Sequence, residues 1–423
     1  MNHVVVVGAS LAGVRACGGL RAEGYAGAIT LIGAEQHVPY DRPPLSKKVL
    51  SGEWEPDRIS LVRAEEFELL HLQQRFGVAA AGLSTTDCEV TLADGSVIGY
   101  DGLIIATGST TRRLAGQPDH PSVFELRTLD DSLALRARLK DGSQRVTIIG
   151  AGFIGLEVAA TARTLGNDVI VLEGLHAPLI RGLGAEMGTA VTAIHADHGV
   201  SIRCGVRVLG IDPVGDALVV RIGGGGLGGG GLDGDGLDAS SGGESIVSDV
   251  VVVGVGVSPA TGWLDNSGLT VRDGIVCDDT LNAGVPQVYA AGDVARWPNP
   301  QFDGEEMRVE HWTNASEQGL IAAKNLAAVA GGGSPQPYAT VPFFWSEQYD
   351  KRIQFIGRAA GDDEVRIVRG SVEDRSFLAL YGKNGRFRGA LGLAMPKPLM
   401  QCRKLLIERL SFEEAVQAAV GLA

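Results

Sequence analysis

Cysteine is scarce in this chain and widely scattered. Cys17, Cys88, Cys204, Cys277 and Cys402 are odd in number and form no C-x-x-C. That excludes a sequence-local dithiol and argues against a disulfide framework or a structural zinc site. The eight histidines show no metal-ligand spacing. His195 and His198 lie close together but lack a third ligand, so surface placement is expected and no metal site is assigned. Positive charge is also short, with 37 Lys and Arg against 50 Asp and Glu and a formal net charge of −13. Such a balance argues against a nucleic-acid or anionic-membrane role for the surface as a whole. No apolar run reaches transmembrane length. Met1-Asn2-His3 leads directly into a strand, without the basic segment and cleavage site of a secretory signal. The expectation is a cytoplasmic protein with reduced, mostly buried thiols and neither membrane nor nucleic-acid partners.

Glycine, by contrast, is abundant at 60 residues, and two clusters of it carry a pattern. Gly8-x-Ser10-x-x-Gly13 follows an apolar strand, His3–Val7, and opens a helix through Leu11 and Ala12. Gly150-x-Gly152-x-x-Gly155 follows a second strand, Arg145–Ile149, and opens a helix through Phe153 and Ile154. Each unit continues to another strand ending at an acid, Glu35 in the first and Glu173 in the second. In such a unit the first glycine makes a tight turn. The second admits the backbone close to a pyrophosphate, and the third lets helix and strand pack. The helix N-terminus favours the negative phosphates, and the acid accepts hydrogen bonds from a ribose diol. The acids lie 27 and 23 residues beyond the first glycine, near the offset of roughly twenty that the geometry asks for. Ser10 replaces the middle glycine of the first copy but is small enough to keep the approach open. Strand, glycines, helix, strand and acid agree twice, which predicts two dinucleotides and electron passage between them. A carboxylate at Glu173, with no arginine immediately after it, would repel a 2′-phosphate and favours NADH over NADPH.

At 423 residues the chain has room for about three domains. Residues 1–110 alternate strands and helices and close on the buried run Leu103–Ala106. Residues 111–254 repeat the plan and end near Gly254-Val255-Gly256. A third block follows, around Val288–Asp293. Within the second block, the glycine-rich run 223–243 is expected to be a flexible tip joining strands Leu218–Ile222 and Ser245–Val253. After a connector at 331–335 come short strands at Arg352–Ile356 and Phe377–Tyr381, then a helix over Lys397–Leu410. Residues 324–423 hold 14 Lys and Arg against 10 Asp and Glu, so the last hundred residues are the basic part of an acidic chain.

Several further runs carry a resemblance: Val5–Gly13, Pro39–Lys47, Leu126–Asp131, Tyr289–Asp293, Glu310–Ala315 and Phe344–Gln348. Together they resemble the FAD-dependent NADH:ferredoxin reductases of bacterial oxygenase systems, of the putidaredoxin-reductase and biphenyl-dioxygenase-reductase type. The departures are the glycine-rich run and Glu347, where that family often has Asp. The resemblance implies a glutathione-reductase-like α/β fold with two Rossmann-type dinucleotide-binding domains and a C-terminal α/β domain. FAD would be held tightly by residues 1–110 and 255–324, NADH by residues 111–254, and the C-terminal domain would span residues 325–423. It implies that Glu35 holds the adenosine ribose of FAD and that Arg42 and Arg127 contact its phosphates or adenosine. Asp293, beside Gly292, would bind the ribityl chain, Trp312 would lie against the flavin, and Trp345 would sit on the ferredoxin side. Lys47 and Glu157 would meet beside the flavin where the nicotinamide stacks. The second fingerprint with Glu173 and Gly256 would hold NADH. The partner would be an iron–sulfur ferredoxin feeding a Rieske dioxygenase or a cytochrome P450. The basic tail suggests an acidic ferredoxin docking there, with Arg386, Arg388, Lys397 and Arg403 as candidate contacts.

Asn314-Ala315-Ser316-Glu317 reads as a capping box, starting a helix whose positive end would face the flavin. Direct hydride transfer needs only close, aligned reactants, so no nucleophile or general acid–base is assigned. Two other readings of the same fold are a flavin-dependent disulfide or peroxide reductase and a binding module like apoptosis-inducing factor. The first needs a reactive cysteine near the flavin, yet no Cys lies between 18 and 87. The second is weakened, in a DNA-binding form, by the negative net charge. Oligomeric state is not legible.

Overall fold

The computed structural model describes residues 1–224 and 243–421. The chain divides into two compact units, one of Met1–Asp41, Asp57–Thr110 and Val257–Phe344, the other of Arg42–Pro56, Thr111–Gly256 and Trp345–Ala423. The expected glycine-rich tip falls almost wholly on 225–242, outside the described residues.

The first unit is built on a five-stranded sheet in the spatial order Val288–Ala290, Gly102–Ile105, His3–Val7, Ala28–Gly33 and Leu72–Phe76. All neighbours in it run parallel. Parallel strands are covered on both faces and therefore read as continuous apolar runs; Val4–Val7 and Leu103–Ile105 are all buried. One cover is made by helices Leu11–Ala22 and Trp312–Ala330. Their contact depends on small residues. A Cβ on Gly319 would lie 2.3 Å from the Ala12 carbonyl oxygen, and one on Gly19 would lie 2.9 Å from Ala323 Cβ.

The second unit repeats the plan around strands Ser201–Arg203, Asp168–Leu172, Arg145–Ile149, Val250–Val253 and Val123–Phe124, again all parallel. A three-stranded antiparallel sheet, Val206–Val214, Ala217–Gly224 and Glu244–Ser248, stands beside it. The tail forms a five-stranded antiparallel sheet from Phe343–Gln348, Lys351–Gly357, Arg386–Leu393, Ser376–Lys383 and Glu364–Ser371. Within this unit the tail is tied to the repeat by Tyr381 Oη donating to Leu183 O at 2.8 Å and by Arg375 pairing with Asp197 at 2.8 Å.

Four local expectations need correction. The run Ser245–Val253 is two strands in two sheets. It breaks at Asp249, whose carboxylate accepts from the Arg145 backbone at 2.8 Å and from its guanidinium at 2.6 and 3.0 Å. The helix expected over Lys397–Leu410 is Pro396–Ile407. A second helix, Phe412–Val420, follows it because Ser411 and Glu414 form a capping box. The box expected at Asn314 does not form, since the helix already begins at Trp312 with His311 as N-cap. Asn314 is buried and donates to Val309 O at 3.2 Å, while Glu317 accepts from Tyr338 Oη at 2.8 Å and Thr340 Oγ1 at 3.0 Å. Finally, His195 is fully buried rather than at the surface; only His198 is exposed. No helix among the described residues is long and apolar enough to cross a membrane.

Candidate functional site

In the first unit, Gly8 has φ +119°, and a Cβ there would sit 2.1 Å from the Ala106 carbonyl oxygen. Only glycine fits so close an approach in that backbone region. A Cβ on Gly13 would lie 1.9 Å from Gly8 O, so helix and strand meet without side-chain separation. Ser10 is the N-cap and its side chain makes no cap bond. The first bond of the helical ladder is Val14 N–H to Ser10 O at 2.9 Å, which leaves the amides of Leu11, Ala12 and Gly13 ahead of it, in the position that binds anions.

Glu35 is half-buried and accepts a hydrogen bond from Tyr40 Oη. Gly292, with φ +79°, brings its Cα face to Ala12; a Cβ would lie 3.2 Å from Ala12 Cβ. Asp293 accepts from Ser109 Oγ at 2.9 Å. Gln318, fully buried, accepts from Gly292 N–H at 2.8 Å, and its Nε2 has no protein partner in the structure. Trp312 is anchored by Nε1 donating to Asp41 Oδ1 at 2.7 Å. The first unit therefore joins Gly8–Gly13, Gly292 and Gln318 around one helix start. An orphaned buried donor beside a glycine cradle fits a polar group bound there, as an FAD would supply.

In the second unit, Gly150 has φ +109°, and a Cβ would lie 2.3 Å from Gly254 O. A Cβ on Gly155 would lie 2.3 Å from Gly150 O. At Gly152 and Gly256 the same atom meets nothing within 4 Å. The two packing glycines are thus structural, whereas the middle glycine opens onto free space at a helix start, as a pyrophosphate requires. The helical ladder begins with Leu156 N–H to Gly152 O at 3.0 Å, after Phe153 and the exposed Ile154. Glu173 is held at the strand end by accepting from Ala151 N–H and Leu175 N–H, both at 2.8 Å. Each oxygen keeps a lone pair for a further donor.

Lys47 and Glu157 meet in this unit: Nζ lies 2.8 Å from Oε2, with side-chain exposures of 12% and 7%. The same carboxylate accepts from Ser46 Oγ at 2.5 Å and from Ser346 Oγ at 2.6 Å. Taking an ion pair out of water is tolerated only when its remaining valences are filled, and the two serines fill them. Arg42 donates to Arg127 O at 2.6 Å, and Arg127 N–H to Asp131 at 3.1 Å. Trp345 is half-buried beside Ser346. Glu347 faces Arg352 across 3.7 Å at an exposed position, a contact worth about 0–1 kcal/mol.

Sequence reasoning did not assign roles to Ser46, Ser346, Gln348, Tyr40 or Gln318. Tyr40, Ser46, Ser346 and Gln348 lie inside the runs Pro39–Lys47 and Phe344–Gln348 that carry the resemblance, which is the available signal; Gln318 lies outside them. Cys17 is fully buried, and burial pushes its thiol up to about 12.

A model of pyridine nucleotide-disulphide oxidoreductases matches residues 2–319, and a model of the reductase C-terminal domain matches residues 343–421. Among similar proteins is a rhodocoxin reductase of Rhodococcus erythropolis, 36% identical over 404 residues, which span 95% of this chain and 89% of that protein. A ferredoxin reductase for the CYP199A2 system of Rhodopseudomonas palustris superposes with a TM-score of 0.88 at 34% identity, over 99% of this chain and 98% of that one. Putidaredoxin reductase, solved in covalent complex with putidaredoxin, superposes with a TM-score of 0.86 at 28% identity, over 99% of both chains. The chain belongs to the pyridine nucleotide-disulphide oxidoreductase family and carries its reductase C-terminal domain.

Proposed function

We propose that the protein is an FAD-dependent NADH:ferredoxin reductase that supplies a Rieske dioxygenase or a cytochrome P450. The observation that carries this is the duplicated glycine cradle, closed by backbone at Gly8 and Gly150 and open at Gly152, in a chain whose relatives are ferredoxin reductases over nearly their whole length. When bound, FAD supplies the conversion of a two-electron hydride donor into single-electron deliveries to an iron–sulfur carrier.

The chain's own residues bind and align. The helix start at Ser10–Gly13, Glu35, Arg42, Arg127, Gly292, Asp293 and Trp312 hold FAD. Gly150, Gly152, Phe153, Ile154, Gly155, Glu173 and Gly256 hold NADH. Glu173, already fixed by two backbone donors, offers its remaining lone pairs to a ribose diol and repels a 2′-phosphate. Lys47 and Glu157 position the nicotinamide, and Trp345 lies toward the ferredoxin. The FAD part comprises residues 1–110 and 255–324, the NADH part 111–254 and the ferredoxin-facing part 325–423. Arg386 and Lys397 are exposed and Arg388 and Arg403 half-buried, a cationic set for an acidic ferredoxin. The working compartment is the cytoplasm. The thiol-dependent alternative lacks support, because Cys17 is sealed in the core and no other cysteine falls before Cys88.

The test is a panel of acidic and neutral ferredoxins assayed for cytochrome c reduction with NADH and NADPH at several ionic strengths. The reading expects reduction only with a ferredoxin present, NADH preferred, and a KM for the acidic partner that rises with salt. Equal reduction with every ferredoxin omitted would reject it.

A further inference from the structure

Behind the Lys47–Glu157 pair runs a buried row of polar side chains for which the reductase reading has no use. Ser346 Oγ donates to Glu157 Oε1 at 2.6 Å. Gln348 Nε2 donates to Ser346 Oγ at 3.1 Å. Gln348 Oε1 lies 2.8 Å from His195 Nε2, and His195 Nδ1 lies 3.2 Å from Tyr349 Oη. Ser346, Gln348 and His195 are each 0% exposed. The row joins four elements: the turn at Pro43–Ser46, helix Phe153–Thr164, helix Ala185–Asp197 and strand Phe343–Gln348.

Donor and acceptor counting fixes its direction. A carboxylate only accepts, so Ser346 must give it its one proton and can only accept from Gln348. Gln348 then presents its NH2 to Ser346 and its carbonyl oxygen to His195. His195 must carry its proton on Nε2, which leaves Nδ1 to accept from Tyr349 Oη. Burial is the main cause holding the His195 ring's pKa down at about 4, which keeps one nitrogen bare for that role. Tyr349 is itself clamped by the His198 ring, stacked at 3.7 Å and 7°. Every hydrogen bond therefore points toward Glu157. A half-satisfied buried network is worse than an apolar core, and here each link from Tyr349 to Glu157 has its partner.

We infer that His195, Gln348 and Ser346 are positioning residues: a one-way hydrogen-bond chain that fixes the Glu157 carboxylate, and through it Lys47, in the orientation that aligns the nicotinamide. The inference rests on the reductase reading above. Ser346→Ala removes the donor nearest the carboxylate, and His195→Phe removes the far end while keeping a ring in the core. Misplacing a reacting partner by up to an ångström costs as much as about a hundredfold. A rotation of one carboxylate oxygen should then slow hydride transfer on the order of tenfold. The KM for NADH should stay within about twofold, because the ground-state contacts of the fingerprint are untouched. His195→Gln, which keeps a donor toward Gln348, should recover part of the rate when His195→Phe does not.

A readout independent of turnover is the 15N spectrum of histidine-labelled protein. In the wild type, His195 should occupy the Nε2–H tautomer alone at neutral pH, and Ser346→Ala should mix the two tautomers. Wild-type rates in Ser346→Ala and His195→Phe, or a His195 tautomer indifferent to Ser346→Ala, would overturn the inference while leaving the reductase reading intact. A wild-type flavoprotein that NADH cannot reduce would instead reject both, since no transfer would remain to be aligned.

Discussion

Replacing Glu157 tests how strongly the buried pair is held. Glu157→Leu leaves the Lys47 ammonium, with a side chain 12% exposed, only Ser46 Oγ at 3.5 Å as a hydrogen-bond partner among the described residues. Removing one partner of a buried pair typically costs about 3–5 kcal/mol, because the other charge stays buried and uncompensated. Lys47→Met keeps the aliphatic stem, and the carboxylate still accepts from Ser46 and Ser346. Its cost should be the loss of one charge-assisted hydrogen bond, about 1.5–3 kcal/mol. The double variant carries no buried charge and should lie within about 2 kcal/mol of the wild type, well above the additive sum. The assay is urea unfolding at fixed, saturating FAD, since ligand occupancy shifts apparent stability, read by circular dichroism and by flavin release. Glu157→Leu within about 1 kcal/mol of wild type, or a strictly additive double variant, would refute the description of this pair as buried and mutually dependent.

The remaining expectations concern the glycines, Glu173 and His195. Gly150→Ala forces a Cβ to 2.3 Å from Gly254 O at φ +109° and should cost at least about 2 kcal/mol in thermal or urea unfolding. Gly152→Ala meets open space and should leave stability within about 0.5 kcal/mol while raising the KM for NADH on the order of tenfold, read by steady-state kinetics. Glu173→Ser should shift the NADPH-to-NADH ratio of kcat/KM upward on the order of tenfold; an unchanged ratio removes Glu173 from the selectivity argument. His195 is lowered from 6.5 to about 4, first by burial, so between those values the unfolded chain binds the proton and the folded one does not. Stability should therefore fall as pH drops through this window, by up to about 3 kcal/mol in all. His195→Gln should remove that part of the pH dependence of the urea midpoint.

What was legible in the sequence was what is local. Val4–Val7 and Ile148-Ile149 lead into glycines whose spacing reports a turn and a helix start, and both units fold that way. The Lys47–Glu157 contact spans 110 residues and was reachable only through the resemblance. The chain from Glu157 to His195 spans 189 and 153 residues in its longest links and left no periodic trace. His195 looked like a surface residue because its partners, the buried Gln348 and the half-buried Tyr349, lie on a distant strand and turn. Asn314 looked like a helix cap because its local pattern suits one, but Trp312, tied to Asp41 271 residues away, belongs to a helix that has already begun. At Asp249 an apolar run concealed a change of sheet, since the ion pair with Arg145 is also non-local.

The most direct measurement is anaerobic mixing of FAD-reconstituted wild-type protein with NADH, followed by absorbance of the bound flavin. The account predicts a yellow protein that bleaches on mixing, and faster with NADH than with NADPH. Well-folded protein that stays colourless after reconstitution, or whose flavin neither nucleotide reduces, would contradict it.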